Sequence, residues 1–360
     1  MFLSKLTISN FRSCRDTTVS LHQNLTVLVG ENNGGKSNII DAIRLVTQPL
    51  NGRRDRYADE QDISRGSTKN GFKIAAEYQG LSDTLKGLLI SGIPDPVVGN
   101  ALFGIKYDKP SDRNLRSGRV TSWAGKYESS QPELGSTDLV RHVYLPALRD
   151  AHQALGSGSS SRILALFRHF LPSDQEQAFI DAAKRPDTEK HDVLTNINSA
   201  IDDALDLLTS GVRRQAAQVG FADERINDIA RDLRFKLADA GLPVEDIRSS
   251  GLGYSNLLYM STVVVELSKA IESDLTIFLV EEPEAHLHPQ LQMLVLEFLL
   301  KKAQESHEKK PAAGDPEGRI QIIVSTHSPN LTAWLPPEHL VVVRSQSLGD
   351  GSSSTRCAAI

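Results

Sequence analysis

The sequence predicts an α/β fold of buried central strands, with a helical block inserted between its two halves. Three observations predict it. The apolar run Leu25–Val29 leads into a glycine-rich turn and then an amphipathic segment, which is the order strand, loop, helix. Two later apolar runs, Leu275–Val280 and Ile320–Ser325, have the composition of buried strands. Between the two halves, residues 162–240 change to the spacing of amphipathic helices.

The glycine-rich turn, GENNGGKSN, fits the pattern of a phosphate-binding loop. Glycines let backbone N–H groups curl around a phosphate, and the start of a helix adds further N–H donors. Lys36 is expected to reach the β- and γ-phosphates, and the Ser37 hydroxyl is expected to bind Mg²⁺. The predicted nucleotide-binding residues of this loop are Gly30, Asn32, Asn33, Gly34, Gly35, Lys36, Ser37 and Asn38.

Composition narrows the class of protein. The 360 residues carry a net charge of −5, from 40 basic and 45 acidic side chains, so no basic excess points to nucleic acid. The overall charge does not exclude a local basic patch on the surface. Cys14 and Cys357 are the two cysteines, which gives no disulfide framework and fits a reducing cytoplasm. No apolar run reaches the roughly 18 residues of a membrane span, and the N-terminus lacks the apolar stretch of a signal peptide.

Shorter elements surround the loop. Strands are predicted over residues 2–9, 17–21, 72–78, 101–107, 139–145 and 339–344, and helices over DTLKGLLI and residues 290–302. Residues 109–137 mix arginines and lysines with Trp123 and Tyr127. That mixture is compatible with stacking on single-stranded nucleic acid, but a solvated loop or hairpin is the favoured interpretation. The last residues, 345–360, show little pattern.

A pair of acids follows the strand Leu275–Val280. In a nucleotide-hydrolysing sheet, an apolar strand ending in acids is the partner of the phosphate loop. Glu281 is expected to hold Mg²⁺ directly or through water, and Glu282 to polarise the attacking water. His327 follows another core strand and is expected to contact the γ-phosphate. The alternatives are surface acids at a strand end and a structural histidine.

A second anion site is predicted at Ser249–Gly253, before the helical stretch Leu257–Ile271. One nucleotide cannot use two separated γ-phosphate sites of one chain. This loop is therefore expected to serve the nucleotide of another subunit, which predicts a two-fold dimer with ATP between the protomers. The alternative is a helix cap formed by Ser250.

The ordered set GENNGGKS, SSGLG, LVEEPEAHLHP and STHSPN resembles the ABC-type ATPase heads of the SMC/RecF-like group over about residues 1–345. It is most similar to the N-terminal ATPase domain of OLD-family (overcoming lysogenization defect) nucleases and related bacterial defence ATPases. The resemblance implies a P-loop NTPase core, with a mixed central sheet, flanking helices, an antiparallel β-subdomain and an inserted helical domain.

The same resemblance implies roles for individual residues. The loop Gly30–Asn38 corresponds to Walker A, Glu281 and Glu282 to Walker B, and His327 to the switch histidine, so Lys36, Glu282 and His327 form the expected catalytic set. The implied signature loop in trans is Ser250, Gly251 and Gly253; the D-loop is Ala285 and His286; Arg12 is a nucleotide contact and Gln79 a weak candidate for the Q-loop. The signature here reads SGLG rather than SGGQ, a departure from the family pattern.

The expected domains are 1–155 and 246–345 for the two parts of the ATPase core, 156–245 for the helical insertion, and 346–360 for a flexible tail or the start of a further domain. The expected function is Mg²⁺-dependent ATP hydrolysis by a homodimer or higher even oligomer, controlling DNA binding or cleavage by an attached or partner nuclease. The alternative is a nucleotide-gated scaffold with little hydrolysis; a transporter subunit fits the EEPE motif and the long insertion less well. After His327 there is no Asp-x-Asp pattern, so no nuclease chemistry is assigned to these residues.

Overall fold

A computed structural model describes most of the chain outside its middle third. The described residues are 1–52, 54–110, 118–128, 130–147, 174–183, 272–285, 289–309, 314–348 and 353–360, with single positions and pairs elsewhere. Residues 1–151 and 251–360 form one compact unit, and residues 152–250 form a second. These limits differ by a few residues from the boundaries expected for the insertion.

A seven-stranded sheet forms the centre of the first unit, in the order β14-β13-β3-β12-β11-β8-β4. Its strands are β3 (Leu25–Val29), β4 (Gln48–Pro49), β8 (Val140–Leu145), β11 (Leu275–Glu281), β12 (Arg319–Thr326), β13 (Leu340–Ser347) and β14 (Ser353–Ala359). All neighbours are parallel except β13 and β14. The middle strands are buried almost throughout, which explains why they read as continuous apolar runs.

An antiparallel sheet of five strands, in the order β2-β1-β5-β6-β7, forms the second layer of this unit. Its strands are β1 (Phe2–Phe11), β2 (Cys14–Ser20), β5 (Gly71–Gln79), β6 (Ala101–Asp108) and β7 (Arg119–Ala124). Along β5, buried and half-buried residues alternate strictly, as expected for a strand with one face on the core. Leu6, Ile8 and Ile74 are fully buried and join this sheet to the core.

Helices α1 (Lys36–Val46) and α4 (Pro289–Glu308) pack against strands of the central sheet. The other described helices are α2 (Asp83–Leu88) and α5 (Pro329–Trp334) in the first unit and α3 (Glu176–Ala183) in the second. Ile39, Ile40 and Ile43 of α1 are fully buried, so the helix that leaves the glycine-rich loop is anchored in the core. In the second unit the structure describes α3 and one antiparallel pair, β9 (Lys236–Leu237) with β10 (Glu245–Asp246).

Parallel pairing brings three strand ends to one edge of the sheet. Val29 of β3 is in register with Thr326 of β12, and Ser325 is in register with Glu281 of β11. The loops that follow these three strands therefore start at the same level. This edge is where ligands bind in open parallel sheets.

Two sequence-based expectations differ from the structure. Residues 346–360 were expected as a flexible tail or the start of a further domain, but Ser353–Ala359 forms β14, because the edge of β13 offers it a complete antiparallel ladder. Helix α4 continues to Glu308, past the predicted end at Lys302, because Ala303 and Ser306 are buried against the core. Within residues 109–137, Arg119–Ala124 forms β7 and pairs with β6, which agrees with the favoured hairpin, and Trp123 is only 3% exposed, which argues against the alternative of stacking on a nucleic acid.

Candidate functional site

The glycine-rich loop lies between β3 and α1 with its tip open to solvent. Glu31, Asn32 and Asn33 are exposed, whereas Gly34 and Gly35 are buried. The Gly34 N–H donates to Glu31 O at 3.2 Å and closes a tight turn. Gly35 caps the helix with φ of 108°, and no side chain caps the first N–H groups of α1. The loop thus has the backbone arrangement of an anion site.

Lys36 lies across the mouth of the loop. Its Nζ donates to Gly30 O at 2.9 Å and to Glu31 O at 3.0 Å, and lies 3.3 Å from Nδ1 of His327. Burial lowers the pKa of the Lys36 ammonium, while the surrounding carboxylates, Glu282 foremost, act in the opposite direction. The ammonium is therefore held in place by the loop itself and faces the end of β12.

Glu281 ends β11 and meets the start of α1. The Ser37 hydroxyl and the Tyr144 side chain lie beside its carboxylate, and the Ser37 hydroxyl acts to lower the pKa of that carboxyl. Burial raises the pKa of Glu281, and the neighbouring charge of Asp41 raises it further. A carboxylate that is both buried and close to a second carboxylate is relieved by a cation.

Magnesium fits this pair of oxygen donors. Among the described residues, no three His, Cys, Asp or Glu side chains form a ready-made metal cluster. Mg²⁺ needs none, since it keeps several waters and takes one or two carboxylates plus substrate phosphate oxygens. The hydroxyl of Ser37 and the carboxylate of Glu281, already in contact, are hard oxygen ligands of the kind that it prefers.

Glu282 turns away from the strand. It has φ of 46°, a left-handed conformation that a non-glycine residue rarely adopts, and its N–H donates to Ser325 O at 2.8 Å. Because of this turn its carboxylate does not follow Glu281 toward Ser37. Its Oε1 lies 3.3 Å from Nε2 of His327. Lys36, His327 and Glu282 form a continuous chain of polar contacts from the loop to the second acid.

Glu284 is a residue of this site to which the sequence analysis gave no role. Its Oε1 accepts from Thr326 Oγ1 at 2.6 Å and from the His327 N–H at 2.8 Å. These two bonds fix the turn that follows β12, and with it the place of the histidine ring. The third acid in the EEPE run was the available signal, but its partners lie 42 and 43 residues further on.

Arg12 is engaged within the protein. Its guanidinium lies 2.9 Å from carboxylate oxygens of both Asp62 and Asp41 and donates to Asn38 Oδ1 at 3.1 Å. It therefore ties the β1–β2 turn to α1, and its predicted contact with a nucleotide stays a prediction. A cavity of about 510 Å³ opens beside it, lined by Arg12, Ser13, Arg15, Gln61, Ile63, Arg65 and Ser353.

The back of the loop is formed by β13 and β14. A Cβ at Gly30 would lie 2.0 Å from Val343 O, and one at Gly35 would lie 2.2 Å from Thr355 Oγ1. Glycine is thus required on the side of the loop that faces the protein, as well as on the side that would face a phosphate. Only the requirement on the phosphate side is apparent from the sequence.

The remaining predicted residues are placed as follows. Ala285 lies in a turn in which its N–H donates to Glu282 O at 3.0 Å. Gln79 ends β5. Ser250, Gly251, Gly253 and His286 lie outside the described residues, so their assignments stay predictions.

Comparison with known proteins gives consistent results. A family model described as "AAA ATPase domain" matches residues 1–206 and 173–332. The Old nuclease of Escherichia phage P2 is 23% identical over 356 residues, covering 91% of this chain and 57% of the nuclease. The OLD nuclease of Thermus scotoductus is 25% identical and covers 91% of this chain and 59% of the nuclease. The chain thus spans less than two thirds of the length of either nuclease.

Two further similarities support narrower conclusions. A DNA replication and repair protein RecF of Rhizobium rhizogenes is 35% identical over 86 residues, which is 24% of this chain. Among solved structures, an SMC head bound to the C-terminal winged-helix domain of ScpA matches with a TM-score of 0.56 and 16% identity, over 100% of this chain and 98% of that one. At that identity the match establishes a shared fold.

Proposed function

This chain belongs to the AAA ATPase domain family and is an ATPase related to the OLD nucleases. We propose that it hydrolyses ATP with Mg²⁺ and thereby controls a nuclease that acts on DNA. The predicted α/β P-loop core of SMC/RecF type is confirmed by the family match and by the fold of the SMC head. The metal, the dimer and the nuclease partner are the parts that we propose.

One observation carries the proposal. Three segments far apart in sequence converge on the mouth of the loop, where Lys36, His327 and Glu282 contact one another in a chain. A purely structural glycine turn has no need of an ammonium, an imidazole and a carboxylate at its open side. Such a set is what in-line attack of water on a γ-phosphate requires: charge neutralisation, a phosphate contact and a base for water.

Each residue then has a distinct task. The N–H groups of the loop and of the first turn of α1 bind the phosphates, and Lys36 compensates their charge. Ser37 and Glu281 would hold Mg²⁺, which would supply positive charge to offset that of the phosphates. Glu282 orients the attacking water and accepts its proton, and His327 donates a hydrogen bond to the γ-phosphate.

A second protomer would complete the site. Ser250, Gly251 and Gly253 carry the expected contact in trans, and Ala285 and His286 the expected contact between protomers. The names of the relatives favour DNA as the partner, since they include nucleases and a DNA replication and repair protein. Because the chain covers 57% of the phage P2 nuclease, the nuclease function itself is proposed to belong to an attached or separate partner.

ATP turnover in the presence of Mg²⁺ tests this function. Lys36→Ala is expected to abolish both binding and turnover, whereas Glu282→Gln should keep binding and lower kcat by about 100-fold or more. Lys302→Ala serves as a control, because this lysine pairs with Glu305 on the surface of α4 and touches no residue of the site. If both site variants turn over ATP like the wild type, the roles given to Lys36 and Glu282 are wrong.

Light scattering with ATP separates hydrolysis from a scaffold role. The Glu282→Gln protein should accumulate as an ATP-bound dimer, and a protein that stays monomeric would contradict the proposed sandwich. Turnover is then measured with and without DNA at several salt concentrations. Absence of turnover in every condition, with dimers still formed, would instead favour a nucleotide-gated scaffold.

A further inference from the structure

Strand β14 contributes a buried threonine to the back of the phosphate loop. Thr355 is 1% exposed. Its N–H donates to Ser13 O at 2.8 Å, and its carbonyl accepts from Thr17 Oγ1 at 2.8 Å. The residue is therefore fixed from the β1–β2 turn on one side and from β2 on the other. Its side chain is left facing the loop.

The direction of the hydrogen bonds around Thr355 can be assigned. The Asn38 Nδ2 group can only donate, and it donates to Ser13 Oγ at 2.7 Å. The Ser13 hydroxyl lies 2.7 Å from Thr355 Oγ1, and Thr355 Oγ1 donates to Gly34 O at 3.1 Å. The Ser13 proton thus goes to Thr355, because the proton of Thr355 is used on Gly34. The chain of donors runs from α1 through the β1–β2 turn to the loop carbonyl.

This bond orients one peptide group of the loop. In a planar trans peptide the C=O and the N–H point in opposite directions. Since Gly34 C=O points at Thr355, the N–H of the same peptide, which belongs to Gly35, points away from β14. Gly35 lies close to the Thr355 side chain, because a Cβ added at Gly35 would lie 2.2 Å from Thr355 Oγ1 and 2.8 Å from Thr355 Cγ2.

We propose that Thr355 is a positioning residue of the phosphate loop, which aims the Gly35 N–H at the bound phosphate by holding Gly34 C=O from behind. The inference rests on the proposed function, because it requires that the loop bind a nucleoside triphosphate. Backbone N–H groups at this place contact phosphate in the ground state and in the transition state alike. Loss of the orientation therefore weakens binding and raises KM, with little change in kcat.

The test compares two threonine-to-valine variants of the full chain. Thr355→Val keeps the shape and removes the hydroxyl from Gly34 O. Thr47→Val is the matched control, since Thr47 is 2% exposed and its hydroxyl donates to Ile43 O at 2.8 Å, at the end of α1 opposite the loop. The measurements are the Kd of a fluorescent ATP analogue, the KM and kcat of ATP hydrolysis, and the Tm.

Thr355→Val is expected to weaken binding and raise KM by about five- to tenfold, with kcat within about twofold. Thr47→Val is expected to lower the Tm, because the hydrogen bond to Ile43 O is lost, and to leave Kd and KM unchanged. Thr355→Ser retains the hydroxyl, so its Kd should stay within about twofold of the wild type. The serine variant keeps the proposal testable even if the valine variant does not fold.

Two results would overturn the inference, and a third would overturn the proposed function with it. Equal Kd values for Thr355→Val and Thr47→Val would mean that Thr355 supports only the fold. A large loss of affinity in Thr355→Ser would mean that the hydroxyl is not what matters. If the wild type binds no nucleotide, the proposed function fails. If the wild type binds nucleotide and Lys36→Ala does not, a Thr355→Val protein with the wild-type Kd refutes the positioning role alone.

Discussion

Replacing Gly35 by alanine should destabilise the protein through two effects that can be separated. Gly35 has φ of 108°, and an L side chain in that region costs about 1–2 kcal/mol. The new Cβ would also lie 2.2 Å from Thr355 Oγ1 and 2.8 Å from Cγ2, and β14 cannot retreat freely because its backbone is bonded to the β1–β2 turn. Overpacking of this kind costs about 1–3 kcal/mol. The free energy of unfolding should therefore fall by about 2–5 kcal/mol.

Denaturant unfolding measures this change against two controls. Gly52→Ala introduces backbone strain without a steric clash, since Gly52 has φ of 72° and an added Cβ meets nothing within 4 Å. It should cost about 1–2 kcal/mol. Combining Gly35→Ala with Thr355→Ala removes Oγ1 and Cγ2, so the double variant should recover most of the steric cost and show a favourable coupling energy in a double-mutant cycle.

The reasoning is refuted by either of two results. Gly35→Ala and Gly52→Ala could lower the free energy of unfolding equally, in which case the contact with Thr355 costs nothing. The costs of Gly35→Ala and Thr355→Ala could also simply add, in which case the two side chains do not compete for one space.

Three further outcomes are expected. Glu284→Ala removes the acceptor for Thr326 Oγ1 and the His327 N–H, so kcat should fall about tenfold or more while KM changes little, with partial recovery in Glu284→Gln; an unchanged kcat would refute its role in holding His327. Burial and Asp41 raise the pKa of Glu281 from its ordinary value of 4.5, so as the pH is lowered, turnover should already fall before pH 4.5 is reached. Added Mg²⁺ competes with the proton and should shift this fall to lower pH, which a pH–rate profile at two Mg²⁺ concentrations checks. Burial also lowers the pKa of His142 to about 3, so between pH 6.5 and about 3 the unfolded chain binds a proton that the folded chain does not. Stability should then fall by about 1.4 kcal/mol per pH unit as pH is lowered through that window, and His142→Gln should flatten the slope seen in denaturant unfolding.

Local patterns were enough to predict the parts of the site that are continuous in sequence. The phosphate loop is such a part, because strand, glycines, lysine and helix follow one another within about 20 residues. The acids after β11 are another, because an apolar run fixes where the strand ends. His327 was found for the same reason, at the end of β12.

The contacts between these parts could not be read from the sequence. Glu284 holds the turn after β12 only because β11 and β12 are neighbours in parallel register, and strand order leaves no local trace. The resemblance implied that Arg12 contacts a nucleotide, which stays a prediction, and nothing in the sequence indicated that Asp41 and Asp62 would both reach its guanidinium. The sequence SSTRCAA has no apolar alternation, so it does not predict strand β14, whose pairing is decided by the edge of β13.

The glycines of the loop meet two separate steric requirements. From the sequence, they leave room for N–H groups to approach a phosphate. In the structure, Gly30 and Gly35 also let Val343 O and Thr355 approach from behind, at distances that no side chain would allow. With no side chain between them, a shift of β13 or β14 must move the loop backbone by a similar amount. Phosphate affinity should therefore respond to changes in these two strands more strongly than kcat does, because the residues proposed to set kcat, Glu282 and His327, are positioned by β11 and β12.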